Sequence, residues 1–127
     1  MSYDLMVFDP AAAPRSREDF MRWYKNQTQW SEGHSYADPV VTTAALRAWF
    51  EEIRSEFPPL NGPMASDDCD NPKVTDHCIG RHMIYSAFRW SVAESAYLKV
   101  RELAMKHKVG FYDVSGAEGE VLLPPGA

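Results

Sequence analysis

Cysteine is scarce in this chain: only Cys69 and Cys78 occur among its 127 residues. Two thiols cannot make a disulfide framework, so the fold must rest on an apolar core, and a reducing cytoplasm is the expected location. Long apolar runs are missing as well. No stretch approaches the roughly 20 apolar residues of a membrane-spanning helix. The opening Met1 to Pro10 carries no basic residue of the kind that starts a secretory signal, and no membrane is expected as a partner. Basic clusters are absent too. Lys and Arg total 13 against 18 Asp and Glu, for a net charge of -5, and the bases are scattered. Holding nucleic acid by its phosphates takes a basic stripe, so no nucleic-acid partner is expected. The acidic balance suits solubility or a basic partner.

Catalytic signatures are equally thin. There is no Gly-x-Ser-x-Gly elbow for a nucleophile and no glycine-rich strand-to-helix turn to cradle phosphate. His34, His77, His82, Cys69 and Cys78 invite a metal. On one strand, however, Cys78 and His82 would lie roughly 13 Å apart at ~3.3 Å per residue. Zinc ligands must converge to about 2.0–2.3 Å from one point. His77 and Cys78 would point to opposite faces, so they make no dyad. The expectation is no catalytic residue, no metal and no cofactor, with Cys78 buried and the histidines at the surface or hydrogen-bonded.

What the chain does have is apolar and aromatic mass. Hydrophobic residues make up 45% of it, with four Trp, six Tyr and six Phe. That is enough to build one core in one domain, a size at which roughly two-thirds of the unfolded chain's surface is buried.

Tyr3 to Asp9 reads as a central strand, since Leu5 to Phe8 are continuously apolar and Pro10 stops the run. Ser16, with Asp19 three residues on, predicts a helix start. Phe20, Trp23, Tyr24, Gln27 and Trp30 then recur at helical spacing. Thr43 caps a second helix with an apolar stripe of Leu46, Trp49, Phe50, Ile53 and Phe57, ended by Pro58-Pro59. His77 to Trp90 predicts one long strand, and Ser91 with Glu94 a capping box. The third helix buries Ala93, Ala96, Tyr97, Val100, Leu103 and Ala104. Val109 to Val114 is a further strand, Ser115 to Gly119 a turn, and Glu120 to Leu123 a closing edge strand.

The expected fold is therefore α+β, in the order β-α-α-β-α-β-β. Two layers are expected, a four-stranded mixed sheet with three helices on one face, and the strands flanking the third helix parallel.

Pro58 to Asp76 shows neither helical nor strand periodicity, and it carries four Asp against one Lys, a local charge of -3. Structureless connections of this length are uncommon in compact domains unless they function or are disordered. A solvated loop is one reading. The sharper one is an acidic contact surface, with Asp67, Asp68, Asp70 and Asp76 on a proline-stiffened loop that can occupy a cationic cleft. The polar stretch with Glu32 and Asp38 is its expected neighbour in that contact. Trp30, Tyr36 and Trp90 sit at element boundaries: Trp90 is expected to close the core, whereas Trp30 and Tyr36 suit either a core end or a partner-facing rim.

Three segments carry a family resemblance: Tyr3 to Asp9, Trp90 to Glu94, and Val109 to Gly116. They resemble a group of small uncharacterised bacterial proteins, some of which look like immunity proteins encoded beside polymorphic or contact-dependent toxins. The likeness runs along most of the chain, but its motifs are a strand, a helix cap and a strand-turn, so it carries over no catalytic residue. It implies a protein that binds a cognate toxin with a basic active-site cleft and blocks it. Two alternatives stand beside that expectation: a small enzyme or ligand-binding protein with a cleft between helices and sheet, and a module that pairs through its C-terminal edge strand.

Overall fold

A computed structural model describes residues 2–68 and 70–126. The fold is α+β, with five strands and three α-helices. Along the chain come β1 (Tyr3–Phe8), α1 (Arg17–Gln27), α2 (Ala44–Glu56), β2 (Asp76–Ile79), β3 (Met83–Phe88), α3 (Ala93–Lys106), β4 (Gly110–Tyr112) and β5 (Val121–Leu122). One open sheet runs in the order β2-β3-β1-β4-β5, and every ladder in it is antiparallel.

The expected four-stranded mixed sheet is thus corrected in two ways. The single strand foreseen over His77 to Trp90 is a hairpin. The chain reverses across Gly80 to His82, where the Gly80 N–H donates to Met83 O at 2.8 Å, and Ile79 pairs with Ile84. Folding back keeps Arg81 and His82 in solvent, where one straight strand would have carried them through the sheet. The strands flanking α3 do run in the same direction, because β3 and β4 are each antiparallel to β1. They are not neighbours, since β1 lies between them.

The helices are not all on one face. Leu5 and Val7 of β1 join Ile79, Ile84, Phe88 and Phe111 against α2 and α3. Met6 and Phe8, on the other side of the same strand, pack with Met83, Tyr112 and Phe20 of α1. Successive strand residues alternate between faces, so a strand buried along its whole run needs cover on both. A two-layer packing would have left Met6 and Phe8 in water.

Local signals explain the helices. The Asp19 N–H donates to Ser16 Oγ at 3.2 Å, and Thr43 caps α2 in the same way through Leu46 N–H. Leu46, Trp49, Phe50, Ile53 and Phe57 form one buried stripe. Each such side chain contributes about 1.5–3 kcal/mol by leaving water. The Trp49 indole N–H donates to Val100 O, tying α2 to α3.

The capping box expected at Ser91 and Glu94 does not form. Ser91 sits inside a 3-10 turn, Trp90–Val92, so the extended cap conformation belongs to Arg89, and α3 starts after Val92 with no side-chain cap. Trp90 is not a core residue either. It is 51% exposed and leans against Tyr3 from outside, with ring centroids 5.2 Å apart. Among the described residues, no helix is long and apolar enough to cross a membrane.

Candidate functional site

The acidic connection is anchored at both ends and open in the middle. Pro59 bridges Thr75 in parallel, the Thr75 N–H donates to Pro58 O at 2.8 Å, and the Leu60 N–H donates to Thr75 O at 2.9 Å. Val74 and Thr75 are buried. Between these anchors the chain turns on its own polar side chains. The Asp68 N–H donates to Ser66 Oγ, and the Asp70 N–H to Asp68 Oδ1, the local bonding that suits Ser and Asp to turns.

Asp67, Asp68 and Asp70 are exposed. None forms an ion pair with a described residue. Lys73, the only base in the segment, turns away: its Nζ lies 3.4 Å from Glu56 Oε2 and over the Phe57 ring. Asp76 stands apart from the loop aspartates, half-buried on β2, where it accepts from the Cys78 thiol at 3.8 Å.

The stretch after α1 folds along the same edge of the sheet. The Ile79 N–H donates to Tyr36 O at 2.7 Å, covering the outer side of β2. The Tyr36 hydroxyl accepts from the Glu32 N–H. Glu32 Oε1 in turn accepts from the Arg81 N–H at 3.0 Å and lies 2.6 Å from His34 Nε2. Asp38 caps the 3-10 turn Pro39–Val41 through the Val40 N–H. Glu32 and Asp38 therefore position this segment. Trp30 is its outward member: 39% exposed, with rings of Tyr36 and Tyr85 packed edge-on at 5.1 and 5.9 Å. Its φ of 55° lies in the left-handed region, which bulky residues rarely occupy.

The two segments meet. Gly62 lies against Ala37 so closely that a Cβ there would stand 2.3 Å from Ala37 O. The structure thereby brings one residue of each segment together beside β2. It adds Leu60 and Met64, exposed apolar residues of the acidic loop that sequence reasoning passed over. Their signal was there: two large apolar side chains in a segment with no period that buries them.

The remaining chemistry-bearing residues are quiet. His77 is buried and points into the α2–α3 side, while Cys78 points to the α1 side. Burial pushes the Cys78 thiol up to about 11, with Asp76 adding to the effect, so it is no thiolate nucleophile at neutral pH. Among the described residues no three His, Cys, Asp or Glu side chains gather as metal ligands would; Cys69 lies outside the described residues. Burial raises the Asp113 carboxyl, with the Gly116 backbone opposing the effect and Glu120 adding to it. A cavity of about 270 Å³ lies between the start of α1 and β5, with Phe8 and Phe20 among its lining residues. No family model, curated protein or solved structure matches the chain.

Proposed function

We propose that this chain is an immunity-type inhibitor that binds a cognate bacterial toxin and covers a cationic active-site cleft with its acidic flank. The observation that carries the reading is the set of exposed aspartates, Asp67, Asp68 and Asp70, with no ion partner among the described residues, on a loop anchored at both ends. Anchoring reduces the ordering entropy that binding must overcome, and unpaired carboxylates steer a basic partner. Trp30, Leu60 and Met64 supply apolar contact beside the charge, the usual make-up of an interface centre and rim. The strained backbone at Trp30 fits a residue held for a contact rather than for the core.

The test is capture of the partner from the producing organism, followed by titration of the purified pair at two salt concentrations. A stoichiometric complex burying about 1,200–2,000 Å² is expected. The triple change Asp67→Asn, Asp68→Asn and Asp70→Asn should weaken it by about tenfold or more and flatten its salt dependence. Because the three side chains are exposed and in no ion pair with a described residue, and the amide Oδ1 placed at position 68 can still accept from the residue 70 N–H, stability should move by no more than about 0.5 kcal/mol. Wild-type affinity in the triple variant would remove the loop from the contact.

A further inference from the structure

At the far edge of the sheet from the acidic flank, the cavity between α1 and β5 combines an apolar floor with a cationic mouth. Phe8 and Phe20, both buried, form part of its lining, along with Val121 and Leu123. Arg15 and Arg17 also line it. The carboxylates nearest in sequence do not neutralise them, because Glu18 and Asp19 are both engaged by Arg22, at 2.5 and 2.7 Å. Neither Arg15 nor Arg17 forms an ion pair with a described residue.

Arg17 is also held in place. Its Nη1 donates to Gly119 O at 2.6 Å. One of the five guanidinium donors is used in that bond; the planar group that remains suits a carboxylate.

We infer that this cavity binds a small amphipathic carboxylate, its apolar chain against Val121 and Leu123, above the buried Phe8 and Phe20, and its head group at Arg15 and Arg17. Both halves of the argument are needed. An apolar chain alone gains nothing from two guanidinium groups, and a bare anion gains nothing from the apolar wall of Val121 and Leu123. The volume of about 270 Å³, just below the ~300–1,000 Å³ of small-molecule sites, limits the ligand to a short chain.

Octanoate is a suitable probe, with octanol as its uncharged counterpart, titrated into the ¹⁵N-labelled protein and followed by amide shifts. Octanoate should give saturable shifts centred on Phe20, Val121 and Leu123, and octanol should bind about tenfold more weakly, the loss expected of one charge-assisted contact. Arg15→Gln should weaken octanoate several-fold. Arg15 is exposed and makes no hydrogen bond to a described residue, so this variant folds as the parent does even if Arg17→Gln disturbs the Gly119 turn. Absence of saturable shifts, equal binding of octanol, shifts centred elsewhere, or unchanged affinity in both Arg15→Gln and the Arg15→Gln, Arg17→Gln double variant would each overturn the site.

Discussion

His77 and Ser86 face each other across the β2–β3 ladder, with Nδ1 and Oγ 2.7 Å apart inside the core. The other ring nitrogen, Nε2, lies 2.9 Å from Phe57 O. A carbonyl can only accept, so Nε2 carries the hydrogen, and Nδ1 accepts from the Ser86 hydroxyl. Trp49, Phe50 and Phe88 pack edge-on around the imidazole. The ring is neutral, fully hydrogen-bonded and surrounded by aromatics, and burial pushes its pKa down to about 4.

That depression links stability to pH. The unfolded chain takes up a proton near the ordinary value of 6.5, while the folded one resists it down to about 4. The stabilisation from neutral His77 is therefore complete above about pH 6.5 and is lost as pH falls towards 4. It amounts to roughly 3 kcal/mol at ~1.36 kcal/mol per unit. His77→Leu should lower stability at pH 7.5 by about 1–3 kcal/mol, by leaving Ser86 and Phe57 O unpaired, and should flatten the profile between pH 6.5 and 4.5. Urea melts at three pH values measure this, and parallel profiles for the two proteins would refute it.

Gly110 pairs with Phe8 in the β1–β4 ladder, and a Cβ at that position would stand 2.3 Å from the phenyl ring. Gly110→Ala should destabilise by about 1–3 kcal/mol through overpacking. Adding Phe8→Leu makes room, so the double variant should lose less than the sum of the two single changes. Strict additivity in thermal melts would mean that the glycine serves another purpose.

Cys78 should react slowly with thiol reagents in the folded protein. With its thiol pushed from an ordinary 9.0 to about 11, the thiolate fraction falls roughly hundredfold. In a Cys69→Ser background, labelling at pH 8 should be slow and should accelerate on adding urea. Asp76→Asn should speed it only modestly, because burial is the larger cause. A free-thiol rate in the native protein would contradict the placement of Cys78.

Gly62→Ala should part the two segments of the acidic flank. The position needs φ of +94° and close approach to Ala37 O, both of which a methyl group opposes. A stability loss of about 1 kcal/mol or more is expected. Amide exchange at Ile79 should also quicken, since its N–H is held by Tyr36 O, one residue from Ala37. Unaltered exchange would show that the two segments hold the sheet edge independently.

The loop aspartates were legible in the sequence as an unbalanced charge in a segment without period. Leu60 and Met64 were not singled out, because an apolar residue in a loop does not announce whether the fold will cover it. The meeting of residues 37 and 62 could not be read at all, nor could the cavity that Arg15 and Arg17 form with Val121 and Leu123, since each joins residues far apart in the chain.

By itself the sequence determined the three helices, through caps at Ser16 and Thr43 and apolar stripes at helical spacing, and the central place of β1, through the unbroken run from Leu5 to Phe8. These depend on hydrogen bonds and side chains within a few residues of one another. Only the tertiary structure decided that α1 covers the opposite face of the sheet from α2 and α3, that residues 77–90 fold back as a hairpin, and that Trp90 lies outside. An apolar stripe says that an element must be covered; which surface covers it is set by the packing of the whole chain.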